Sequence, residues 1–129
     1  MSITIKPEVQ SIKQSIIDNR RDFHRHPELG FKEIRTSKII AEKLSNYGLN
    51  IQTGVGKTGV VATLTGNQSG KTIALRADMD ALPIQETGDL PFKSVNDGVM
   101  HACGHDGHIS MLLGAAEILS SMKDKINGT

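Results

Sequence analysis

Gly54-Val55-Gly56-Lys57-Thr58-Gly59-Val60-Val61-Ala62-Thr63-Leu64-Thr65 is the stretch on which the fold turns. Its opening satisfies G-x-G-x-x-G, but a dinucleotide site needs that pattern to come after a strand and open a helix. The next residues, Val60 to Thr65, are β-branched and apolar and predict a strand instead. A phosphate-binding loop ending in Gly56-Lys57-Thr58 would need a glycine at position 51, which is Ile51. The run is therefore a glycine-rich turn between strands. Downstream, Gly66-Asn67-Gln68-Ser69-Gly70 reads as a turn and Thr72-Ile73-Ala74-Leu75-Arg76 as another strand, which predicts an antiparallel hairpin of 60–65 with 72–76. A shorter strand fits Leu49 to Gln52.

Helical periodicity flanks this strand-rich centre. Val9, Ile12, Ile16 and Phe23 form one apolar stripe and predict a helix from Pro7 to His26, with Pro7 in its first turn and Pro27 and Gly30 ending it. Ile39, Ile40, Leu44 and Tyr47 predict a second helix over 32–47, closed by Gly48 just past its end. Ile109, Leu112, Leu113, Ala116 and Leu119 predict a third over 106–123. Between them, 77–102 is punctuated by Pro83, Gly88, Pro91 and Gly98 and reads as irregular, a length of loop that is usually functional or disordered. The fold class expected is α/β: part of a mixed sheet with flanking helices.

Composition narrows the function. The 15 basic residues against 14 acidic give a formal net charge of +1, without the basic excess of a nucleic-acid binder. With no Trp, one Tyr and three Phe there is no stacking platform for single strands. No run approaches the ~18 apolar residues of a membrane span, and the Met1–Pro7 start lacks the apolar core of a secretory signal. A single cysteine, Cys103, cannot form an internal disulfide and suits a reducing compartment, so a cytoplasmic location is expected.

The chemistry concentrates in Met100-His101-Ala102-Cys103-Gly104-His105-Asp106-Gly107-His108, at a loop-to-helix junction. Thiolate and neutral imidazole are good ligands for Zn²⁺ and similar borderline ions. Gly104 and Gly107 let the backbone turn tightly beside them. The plain alternative is a small buried cysteine among polar loop histidines. Two ligands do not complete a tetrahedral site, so others must come from elsewhere. A second cluster, Arg76-Ala77-Asp78-Met79-Asp80-Ala81-Leu82-Pro83, places carboxylates at i and i+2 after a strand. They could bind a metal, orient a ligating imidazole, or form a solvated acidic turn.

Together with Arg20-Arg21-Asp22-Phe23-His24-Arg25-His26-Pro27-Glu28-Leu29-Gly30, these clusters resemble, in order, the motifs of the M20 metallopeptidases. The likeness is to the amidohydrolase branch: hippurate hydrolases, N-acyl-amino-acid amidohydrolases and auxin-conjugate hydrolases. It runs from Arg20 to Thr129 and implies residue roles. Cys103 would be a metal ligand bridging two ions, His105 would bind one of them, and Asp80 would support the site from behind. Asp78 stands where many other members carry a ligating His, so it is not assigned as a ligand. His24 and His26 are expected to pack or cap. His101 and His108 would support the ligands, face substrate or make simple polar contacts.

The resemblance further implies two divalent ions, Mn or Zn with Co or Ni as possibilities, and hydrolysis of the amide bond of N-acyl amino acids by a metal-activated water. The general-base Glu, the remaining ligands and a lid domain that mediates homodimerisation would lie after Thr129. Residues 1–129 are thus expected to be the N-terminal portion of a catalytic domain with an incomplete sheet, inactive alone. The competing expectation is a non-catalytic metal-binding remnant.

Overall fold

A computed structural model describes residues 5–129; Met1 to Thr4, which make up most of the start expected to carry no signal, lie outside the described residues. The chain is α/β. It runs α1 (Pro7–Ser11), α2 (Lys13–Arg25), α3 (Ile34–Asn46), β1 (Asn50–Val55), β2 (Gly59–Thr63), α4 (His105–Ser121) and a closing 3₁₀ turn (Lys123–Lys125). The single expected N-terminal helix is broken at Ile12, whose backbone (φ −100°, ψ 3°) leaves helical geometry.

The hairpin differs from expectation. β2 pairs antiparallel with β1, from Asn50 opposite Thr63 to Val55 opposite Gly59, with a bulge between Thr53 and Val55. The glycine-rich run is the turn, as its composition predicts: Gly54, Gly56 and Lys57 all have positive φ. The expected partner, 72–76, does not pair with β2. Instead, the 66–73 segment runs alongside the 126–129 segment, with Gly66 N–H donating to Gly128 O (2.8 Å), Asn67 N–H to Ile126 O (3.0 Å) and Ile73 N–H to Thr129 O (2.9 Å). Gly66 and Gly70 lie so close to that backbone that a Cβ on either would overlap it, so these glycines serve close approach rather than a turn.

The core joins α2, α3 and α4 to one face of the hairpin. Phe23, Leu44, Ile109, Leu113 and Ala116 are buried, with Ile39, Ile40, Tyr47, Leu49, Ile51, Val60, Ala62 and Met79 packed against them. Of the α1–α2 stripe only Phe23 is fully buried; Val9 is exposed. Gly48 follows α3 with φ 80°, as its position predicts. At the other end of α3, Glu28 accepts hydrogen bonds from the Arg35 (3.1 Å) and Thr36 (2.8 Å) backbone N–H groups, capping a helix that has no side-chain cap of its own.

The irregular 77–102 segment is ordered by its feet. Leu82 and Met100 exchange two backbone hydrogen bonds, of 2.9 and 3.0 Å, while Ala81 N–H donates to Glu28 O (2.8 Å). This bridge brings the acidic cluster to the histidine-rich one.

Candidate metal centre

α4 starts at His105. Its N-cap, Gly104, adopts φ 86°, ψ 16°, a left-handed conformation that a β-carbon would strain. The turn aims His105 back at the acidic cluster around Asp80. Its Nδ1 lies 2.8 Å from the Asp80 carbonyl oxygen and 3.0 Å from Asp80 Oδ1. A carbonyl only accepts, so Nδ1 carries the hydrogen, and in the neutral ring Nε2 then presents its lone pair. This is how ligating histidines are commonly held: one nitrogen fixed by an oxygen, the other left for the ion. Cys103 is exposed, so its thiol is not a packed core group.

Among the described residues, no three His, Cys, Asp or Glu side chains are grouped so as to hold an ion. The residues present could therefore supply only part of a metal site: a positioned imidazole and an accessible thiol.

The other candidates separate. Asp78 folds back on Arg76, accepting from Nη2 (2.8 Å) and Nε (3.0 Å), and this pairing holds its carboxyl below the ordinary 3.8. So Asp78 and Asp80, two residues apart, have different partners. His26 Nδ1 bonds the Asp22 carbonyl (2.9 Å) at the end of α2, a capping role. His108 is exposed, its ring 5.9 Å from that of His105.

His101 is buried, with neither ring nitrogen hydrogen-bonded. Burial pushes its imidazole below the ordinary 6.5, against the opposing pull of the Asp106 and Asp80 carboxylates.

His24 is more than a packing residue. Its Nδ1 lies 2.8 Å from Asp106 Oδ2 and its Nε2 3.1 Å from Glu86 Oε1, all three side chains being buried. Arg20 Nε also donates to Asp106 Oδ2 (2.9 Å). Glu86, which the sequence did not single out, accepts the Ser94 N–H (2.7 Å) through its other oxygen. An acidic residue in an irregular stretch looks solvated; only a count of buried partners could have flagged it.

Residues 74–129 match the model of peptidase family M20/M25/M40. That segment is similar to the M20 peptidases. Along 96% of its length this chain is 54% identical to thermostable carboxypeptidase 2 of Saccharolobus solfataricus, and along 96% it is 50% identical to an N-acyl-L-amino acid amidohydrolase of Geobacillus stearothermophilus. It covers 32% and 34% of those proteins, so it spans about a third of the length of the curated relatives it matches. Its fold matches that of the Bacillus subtilis YXEP protein, a dinuclear metal-binding M20 peptidase, with a TM-score of 0.87 and 44% identity over 92% of this chain and 34% of that one. The chain corresponds to the N-terminal portion of such structures.

Proposed function

We propose that this chain is the N-terminal part of the catalytic domain of a metal-dependent amidohydrolase that cleaves the amide bond of N-acyl amino acids. The observation that carries the reading is the His105–Asp80 contact, which fixes the tautomer of an imidazole two positions from an accessible thiol. Cys103 and His105 would bind the ions, and Asp80 would hold the His105 ring in place. When bound, a divalent pair supplies Lewis acidity and makes a water nucleophilic at neutral pH. The chain's own contribution is to present Nε2 and the thiolate, and to keep the ring from turning. The general base and remaining ligands belong to the longer protein.

The relatives' names favour this substrate class. A carboxypeptidase and an N-acyl-L-amino acid amidohydrolase cut the same kind of bond: an amide whose nitrogen belongs to an amino acid with a free α-carboxylate. The substrate is then a small molecule, the complete enzyme a cytoplasmic homodimer, and the ions Mn or Zn, with Co or Ni able to substitute. The alternative is a truncated, non-catalytic metal-binding remnant with no activity of its own.

The test extends the reading frame beyond Thr129, purifies the longer protein and assays N-acetyl amino acids, dipeptides and α-amides lacking the carboxylate. Metal-dependent turnover of the carboxylate-bearing substrates, abolished by Cys103→Ser, is expected. Turnover that persists after removal of both Cys103 and His105 overturns the reading. The 129-residue chain alone is expected to show none.

A further inference from the structure

His24 bridges the elements on either side of the candidate metal loop. Its two ring nitrogens meet carboxylates from different parts of the chain: Asp106 on the first turn of α4, at 2.8 Å, and Glu86 inside the long loop, at 3.1 Å. His24, Asp106 and Glu86 have 3%, 1% and 3% relative exposure, so water contributes little to satisfying them. Each contact pairs a ring nitrogen with a carboxylate oxygen, so one imidazole joins two acidic side chains from distant parts of the chain.

Such a buried ionic cluster is a poor way to gain stability, because apolar side chains of similar volume often do as well or better. Its distinct property is geometric. Asp106 directly follows His105, and Gly104, lacking a side chain, offers no cap to fix the start of α4. The first turn is instead located by Asp106, which α2 holds through His24 and Arg20. Upstream, Glu86 and Ser94 belong to the loop whose feet, Leu82 and Met100, lead into His101 and Cys103. The imidazole thus grips both the approach to the 101–105 segment and the exit from it.

We propose that His24 is a positioning residue for the metal loop, setting the direction of His105 through Asp106 and of the Cys103 approach through Glu86. This rests on the reading of Cys103 and His105 as ligands, so the experiment separates the two ideas. In the metal-free chain, long-range ¹H–¹⁵N correlation spectra report which His105 nitrogen carries hydrogen. The native chain should show Nδ1–H, held by Asp80. His24→Leu should retain its far-UV circular dichroism but lose that fixed tautomer, giving an exchanging mixture at His105. Leu113→Ala, which destabilises the core without touching the clamp, should keep it. His24→Gln keeps an amide donor but cannot face both carboxylates, and should fall between.

In the protein extended beyond Thr129, Co²⁺ then probes the ligand reading. A thiolate-to-cobalt absorption band lost in Cys103→Ser supports it, and His24→Leu should weaken Co²⁺ binding by about 10-fold or more. If that longer protein shows no such band, the ligand reading fails while the tautomer measurement still decides the clamp. A native His105 tautomer in folded His24→Leu, or equal loss in Leu113→Ala, overturns the proposal. Failure of both His24 variants to fold makes the residue purely structural and overturns it too.

Discussion

His105 Nδ1 touches two oxygens of one residue: the carbonyl of Asp80 at 2.8 Å and its carboxylate at 3.0 Å. The doubled contact makes the ring's orientation partly independent of the Asp80 side chain. Asp80→Ala leaves the carbonyl in place, so it should weaken divalent-ion affinity of the longer protein at the mild end of the usual range for such supporting groups, about 10-fold. Isothermal titration with Zn²⁺ or Mn²⁺ measures this. A loss as large as that of His105→Ala would mean that the backbone oxygen does not hold the ring.

Gly104 has φ 86° and a hypothetical β-carbon there meets nothing within 4 Å. Substitution should therefore cost only backbone strain. Gly104→Ala is expected to lose about 1–2 kcal/mol of stability in urea unfolding, and Gly104→Asn less, since Asn tolerates the left-handed region. Equal losses would point to a steric origin instead.

Much of this fold is legible in the residues themselves. Tyr47 and Gly48 mark the end of α3, and Ile109, Leu113 and Ala116 mark the buried face of α4, because helical spacing is a local signal. The Gly54–Gly59 run is readable as a turn for the same reason. The pairing of its strands is not, since alternation cannot say which neighbour a strand chooses. Leu49–Gln52 lies closer to the turn than Thr72–Arg76 and is the partner. The His24–Glu86 and His105–Asp80 contacts span 62 and 25 positions and depend on packing that no local pattern encodes.

Burial raises the Glu86 carboxyl, but the Ser94 N–H and the His24 ring lower it more, so it rests below its ordinary 4.5. A depressed carboxylate stabilises the fold above its unfolded value, and that stabilisation is lost as pH falls through the folded value. Urea unfolding should therefore show stability falling with acid below pH 4.5. Glu86→Gln should flatten part of this dependence while costing roughly 1–3 kcal/mol at neutral pH. An unchanged acid slope in Glu86→Gln would remove Glu86 from the account.

Tyr47 is the only tyrosine and there is no tryptophan, so tyrosinate absorbance reports one site. Burial, then the charge and hydrogen bond of Glu117, push its phenol up to about 12. Because the folded value is raised above 10.0, this contribution is intact below that pH and lost as pH rises towards 12. Alkaline titration of the folded chain should show a midpoint well above that in denaturant, and Glu117→Gln should lower it. Coincident midpoints would place the phenol in water.

The paired backbone hydrogen bonds of Leu82 and Met100 also bear on how such a scaffold can change over time. They hold the entrance and exit of the intervening excursion at a constant separation. A second closure, Ser94 N–H to the Glu86 side chain, draws the two sides of the outermost arc together. Insertions or deletions between Gly88 and Pro91 can therefore be absorbed at the tip, while the reactive side chains beyond Met100 stay in register. Diversity among descendants has somewhere to accumulate at little risk to the chemistry.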